Sequence, residues 1–256
     1  MTMKNFLAAI FAFLLLLSAS PPLSAQLEGR TFTNGMDVSF PPFCYISTDG
    51  TLTGFDIEAL NWIARQMGFT VNHQPTDWIT VIDKLSGREI DIIAGGLSVT
   101  PERRNRIAFT RPYWTVELVV LVRKDSALTA EDVLTGSRKI GVQKGSSEAQ
   151  AMADSNGRSG RNYTLFEYGS MDLAASDVVN GRIQAAVFGD SPALEVMKRL
   201  SVKVAGPAGL PAETYAYGVS RDAPDLLQTL NQGLDLLKND PYWNVLTQKY
   251  FPGMQK

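Results

Sequence analysis

Residues 35–60, GMDVSFPPFCYISTDGTLTGFDIEAL, place an acid, two aromatics and two prolines immediately before a Gly-bounded amphipathic segment. Proline cannot donate to a sheet ladder and sits at strand ends or edges. Phe40-Pro41-Pro42-Phe43 therefore reads as the end of a strand shaped for contact rather than for pairing. After it, Asp56 to Gly68 carries Ile57, Leu60, Ile63, Ala64 and Met67 on one face, which predicts a helix with Gly68 as its stop. Asp56 reads as a cap of that helix rather than as a ligand, and Cys44 as a spare thiol beside the turn.

Working outward, strand-like and helix-like segments alternate. Strands are expected at Arg30–Val38, Phe69–His73, Ile90–Ala94 and Glu117–Arg123, the last a β-branched run apolar on both faces, as a doubly covered strand should be. A helix is expected over Trp78–Ser86. The pattern restarts with strands at Lys139–Gln143, Tyr163–Glu167, Ala185–Phe188, Val202–Val204 and Tyr215–Ser220. Helices are expected at Ser146–Asp154, Met171–Asn180, Ser191–Leu200, Pro224–Asn239 and Tyr242–Phe251. Such alternation with short connections means an α/β fold. Its length suits two lobes, in which ligands bind beyond the carboxyl ends of the strands.

Composition narrows the function. The chain has 256 residues, with 24 Lys and Arg against 26 Asp and Glu. That balance lacks the basic excess of a nucleic-acid partner. One cysteine permits no internal disulfide, and one histidine with one cysteine cannot build an ordinary structural zinc site. His73 is assigned no role. At the start, Lys4, the apolar run Phe6 to Leu17 and the small-residue exit to Ala25 are the parts of a secretory signal peptide, too short to span a bilayer. The expected export signal is residues 1–25.

Five strand ends then carry the site: Asp37 to Phe43, Thr76-Asp77-Trp78, AGGLSVTPERRNRIAFTRPY (94–113), GVQKGSS (141–147) and FGDSPA (188–193). In this order and spacing they resemble the periplasmic solute-binding proteins of family 3, which feed polar amino acids to ABC importers. The resemblance runs from about Arg30 to the C-terminus. It implies a two-lobe, type II periplasmic-binding-protein-like fold: two mixed, mainly parallel sheets around a hinged cleft. One lobe would comprise residues 26–119 plus 217–256, the other 120–216, joined through the Glu117–Arg123 and Tyr215–Ser220 strands. It further implies a periplasmic monomer without a cofactor, handing its amino acid to a membrane-bound ABC permease in a transient contact.

Carried over by position, the resemblance gives Arg103 the ligand's α-carboxylate, for which a planar fork is suited. Ser98 would add a hydroxyl and an N–H, the Gly96 carbonyl would accept from the α-ammonium, and Asp190 would pair with that ammonium. Ser146 and Ser147 open a helix whose free N–H groups suit an anion. Phe40 and Trp78 would sandwich the side chain, with Asp37 and Gln143 at its polar end. Each has a plainer reading: Ser98, Thr100 and Asp190 as helix caps, Arg103 as part of a solvated charge run, and Phe40 and Trp78 as core. Asp37 favours glutamine, arginine, histidine or lysine over an acidic ligand. The rival is a dehydratase acting on prephenate or arogenate, for which Glu213 is the acid to test against a surface glutamate before a hinge strand. A receptor or accessory subunit using the same closure is a third reading.

Overall fold

The computed structural model describes residues 27–158 and 160–254. The expected export signal lies outside the described residues. In the first lobe, β1 (Thr31–Met36) runs parallel to β5 (Thr70–Pro75) on one side and to β6 (Ile92–Ile93) on the other. The sheet continues antiparallel through β15 (Gly218–Val219) to β7 (Ala108–Phe109). In the second lobe the order is β11 (Tyr163–Tyr168), β10 (Arg138–Gln143), β12 (Ala185–Gly189), β9 (Leu118–Arg123) and β13 (Val202–Pro207). The pairs β11–β10 and β10–β12 are parallel, whereas β9 is antiparallel to both its neighbours. Both sheets are thus mixed, the antiparallel members being those next to the lobe crossings. Residues 118–122 are buried throughout, as the unbroken apolar run requires.

The chain crosses between the sheets after β8 (Trp114–Val116) and returns through β14 (Glu213–Tyr215). These two strands pair antiparallel, Trp114 opposite Tyr215 and Val116 opposite Glu213. The strand expected over Tyr215–Ser220 is therefore two strands, parted at Ala216–Tyr217. Its first part pairs at the crossing and its second inside the first lobe's sheet. An aromatic cluster fills the base of the crossing: Trp114 stacks on Phe251 at 4.0 Å between centroids, and Phe43 meets Tyr215 edge-on at 5.0 Å.

The opening stretch forms a small antiparallel meander, β2 (Ser39–Phe40), β3 (Cys44–Ile46) and β4 (Leu52–Thr53). Helix α1 (Phe55–Met67) follows at once. Its first free N–H groups are taken by the proline turn, Phe55 donating to the Pro42 carbonyl and Asp56 to the Phe43 carbonyl, both at 2.9 Å. Gly54 caps the helix at φ 138°, where an added Cβ would stand 2.2 Å from the Phe43 oxygen. Only glycine fits there. Gly68 ends the helix in the left-handed conformation, as expected. The next helix, α2 (Val81–Ser86), starts later than predicted. Asp77 accepts the Ile79 N–H at 2.9 Å and holds 77–80 as a turn.

Asp56 is not the helix cap. It is fully buried, and its Oδ2 accepts from the Gly96 N–H at 2.7 Å and from the Tyr113 hydroxyl at 2.6 Å. Its Oδ1 has no partner. Burial pushes the carboxyl up to about 7, against the opposing pull of Tyr113 and Gly96.

The folded chain thus keeps the Asp56 proton up to about pH 7, while the unfolded chain releases it near 3.8. Between those values the folded state binds more protons, so this group's stabilisation is full below pH 4 and is lost as pH rises through 7. The Asp56→Asn variant has no such proton to hold. Denaturant titrations at pH 4 and 7 should show wild-type stability falling relative to the variant by up to about 4 kcal/mol over that span.

Candidate functional site

Both sheets send their carboxyl ends to a common cleft. From the end of β1, Asp37 turns back on itself: its Oδ1 accepts from the Ser39 N–H at 2.9 Å and the Ser39 hydroxyl at 2.6 Å. Its other oxygen accepts from the Gln143 side-chain amide at 2.8 Å, at the end of β10 in the opposite lobe. Phe40 lies on this wall, stacked on Phe43 at 5.7 Å. Gly96, after β6, adopts φ 68°, and a Cβ there would lie 2.3 Å from a Phe40 ring carbon. The glycine lets the aromatic approach the cleft floor.

The other end of the cleft is charged. Helix α3 (Pro101–Arg104) is capped by Thr100, whose hydroxyl accepts the Arg103 N–H at 3.1 Å. That cap sets the phase of the basic run. Arg104 and Arg106 are exposed, while Arg103 is 9 % exposed and points into the protein. Its Nη1 donates to the Ser98 carbonyl at 2.9 Å and its Nη2 to the Gly145 carbonyl, across the cleft, at 3.2 Å. The guanidinium also lies over the Trp78 ring at 5.5 Å. The solvated-face reading of Arg103 therefore fails, whereas the cap reading of Thr100 holds. Burial pulls the guanidinium below its usual value, opposed by the charges of Glu148, Glu213 and Glu102.

Beyond helix α4 (Ala130–Thr135), Ser146 caps helix α5 (Ser147–Ser155), accepting the Ala149 N–H at 3.0 Å. Ser147 then donates its hydroxyl to Glu213 Oε2 at 2.7 Å. The same oxygen receives the Ser98 hydroxyl at 2.6 Å from the first lobe. Glu213 is thus neither free nor a plain surface residue: it bridges a serine from each side. Next to it, Glu148 is buried, and burial followed by the Glu213 charge pushes its carboxyl up to about 7.

Most of these groups surround one narrow cavity. Asp37, Phe40, Trp78, Gly96, Ser98, Gln143, Ser146 and Ser147 line it, together with Gly95 and Glu148. Arg103 is not on this wall but borders the adjoining groove with Glu213. Asp190 lines neither. It begins α7 (Asp190–Arg199), the helix after α6 (Met171–Val179); its N–H donates to the Glu117 carbonyl at 2.8 Å, and its Oδ1 accepts from the Ser191 N–H and hydroxyl at 2.6 and 3.1 Å. Asp190 is not the cap: Gly189 is, without a side-chain cap bond, and Asp190 is the first helical residue. Sequence reasoning missed Glu148, because an acid in the first turn of a helix ordinarily complements the helix dipole.

The bacterial extracellular solute-binding proteins, family 3, match by their family model over residues 32–253. The chain belongs to that family. It is 28 % identical to the lysine/arginine/ornithine-binding periplasmic protein of Escherichia coli (strain K12), over 97 % of each chain. Among solved structures, an ABC uptake transporter substrate binding protein from Streptococcus pneumoniae with bound histidine superposes with TM-score 0.80 at 30 % identity, covering 90 % of this chain and 94 % of that one. An ancestral amino acid-binding protein, a precursor of cyclohexadienyl dehydratase, gives TM-score 0.78 at 29 % identity, covering 86 % and 95 %. The family's two-lobe architecture is the one described above.

Gly96 tests the close packing of the cleft floor. Gly96→Ala should lower stability by at least about 1–2 kcal/mol from the left-handed backbone alone, with the Phe40 clash added, as read by chemical denaturation.

Proposed function

We propose that this family member binds an amino acid with a donor-rich side chain, arginine or glutamine foremost, and delivers it by cleft closure to an ABC permease. The observation that carries the reading is the cavity's polarity. At one end the Asp37–Gln143 pair lies beside Phe40 and Trp78; at the other stand Ser98 and Ser147, with the buried Arg103 behind them on the adjoining groove. An amino acid has the same layout, with a carboxylate at one end and a side chain at the other. Asp37 favours donors and cations and disfavours an acidic side chain. Relatives that bind lysine, arginine, ornithine or histidine support this class.

Closure follows from what the two lobes share. The proposed division is 26–119 plus 217–256 and 120–216, hinged at the paired crossing strands, after cleavage of an export signal behind Ala25. Asp37–Gln143 and Arg103–Gly145 already join the two sides, and a ligand touching both adds to that set and favours the closed form. A permease that reads the closed surface then receives only loaded, monomeric carrier. The buried charge pairs set orientation and selectivity more than net affinity, because each charge leaves water.

Thermal unfolding of the chain from Gln26 onward against L-amino acids tests this. Ligand at a hundred times its Kd stabilises by about 2.7 kcal/mol, roughly 5–10 °C for a chain of this size. Arg103→Ala should abolish the response. Asp190→Ala should reduce it less, since Ser191 already holds that carboxylate. No shift with any amino acid would refute the reading.

One observation favours a second reading. A carboxyl held near neutral pH inside a closed cavity, as at Glu148, is the proton donor a dehydratase needs for a leaving hydroxyl. The likeness to a dehydratase precursor supports the same class. Prephenate turnover by the wild type, lost in Glu148→Gln or Glu213→Gln, would establish it. The amino-acid reading expects no turnover.

A further inference from the structure

The carboxylate end of the cleft contains more acid than its proposed task requires. Arg103 is its buried cation, and around it stand Glu213 on β14, Glu148 on α5 and Glu102 on α3, each felt by the guanidinium. Asp37 faces the same cavity from the far end, and Tyr215 on β14 feels the charges of Glu148, Glu213 and Asp190. Arg103 already donates to two carbonyls, Ser98 O and Gly145 O. The two hydroxyls best placed to receive a ligand's carboxylate both donate to one oxygen of Glu213, at 2.6 and 2.7 Å.

A serine hydroxyl has a single proton to donate. Ser98 and Ser147 therefore cannot serve Glu213 and a ligand carboxylate together. Resting on the amino-acid reading above, we propose that the Glu213 carboxylate holds the seat that the ligand's carboxylate must take, and that their exchange is coupled to uptake of a proton by the buried Glu148, whose carboxyl lies 3.4 Å from the Ser147 hydroxyl. The proton requirement comes from charge counting. With the ligand's own ammonium turned to the Gly96 carbonyl, seating the ligand sets a third carboxylate beside Glu213 and Glu148, against the one buried guanidinium, where like charges disfavour each other's ionised form. A proton on Glu148 restores the balance. Glu148 is the natural store, because burial and its acidic neighbour already hold its proton to about pH 7.

The sign is fixed by linkage. Glu148 binds its proton more tightly with ligand seated than without, so affinity is highest at low pH and falls as pH rises, at most tenfold per unit for one proton. Selectivity follows as well. Glu213 is an internal competitor, so weakly held carboxylates are turned away, and the ligand's remaining contacts must supply the displacement.

Titration calorimetry with L-arginine and L-glutamine tests this, run at pH 7.5 in phosphate and in Tris, with affinity followed from pH 6 to 8.5. The wild type should take up a proton on binding, approaching one per ligand, and weaken with rising pH. Glu213→Gln, a neutral isostere that needs no proton to yield the seat, should bind about tenfold more tightly at pH 8.5 and lose most of the pH dependence. Glu148→Gln should lose the proton uptake while still binding. Binding without proton uptake, or weaker binding of Glu213→Gln at every pH, would overturn the inference and leave the amino-acid reading standing. No heat with either amino acid, together with no thermal response across the full panel, would overturn both.

Discussion

The architecture of the cleft depends on one buried contact, the Asp56 carboxylate accepting from the Gly96 N–H while Tyr113 donates to the same oxygen. It joins the first turn of α1, the floor of the cleft and the approach to the lobe crossing in a single cluster. Gly96 needs that anchor because its left-handed backbone is what lets Phe40 close over the floor. The aromatic base beneath, with Phe43 against Tyr215 and Trp114 against Phe251, fixes the crossing strands on the same support. A rigid floor under a jointed pair of lobes is the condition for closure by hinge motion rather than by loosening of either lobe.

On that floor the two ends of the cleft differ in electrostatic character. At the Asp37 end one carboxylate meets one amide across the cleft, a pairing that a donor-rich side chain can extend. At the Arg103 end a single guanidinium is surrounded by acids and by carbonyls that already use its donors. An isolated cation there would bind any small carboxylate. A cation balanced by Glu213 and Glu148 binds only one able to displace a resident anion, which trades affinity for discrimination.

Much of the fold was legible in the sequence, because its longer elements are periodic or continuous. The apolar face of α1, its Gly68 stop and the buried run of β9 follow from pattern alone. The Ala108–Phe109 strand was not legible, since its identity lies in a distant partner: Ala108 pairs with Val219, which no local window contains, whereas Ile92–Ile93 falls inside the expected 90–94 strand. The split of the 215–220 segment and the late start of α2 have the same origin, one in tertiary pairing and the other in the Asp77 turn. At the site, the strand-end phrases identified eight of the residues that line the cavity. Which arginine of Arg103, Arg104 and Arg106 turns inward depended on the Thr100 cap. Asp56 and Glu148 carry no local mark, because an acid in a first helical turn reads as a cap or a dipole partner whether or not it is buried. Asp190 shows the converse: a strong positional match whose carboxylate is held by its neighbour Ser191.

The most direct measurement is a crystal structure of the chain with the amino acid that gives the largest thermal shift. The expected result places the ligand's carboxylate on Ser98, Ser147 and Arg103, its side chain between Phe40 and Trp78 with the tip at Asp37 and Gln143, and Glu213 turned out of the serine pair. A ligand seated outside the cavity, or with its carboxylate at the Asp37 end, would contradict it.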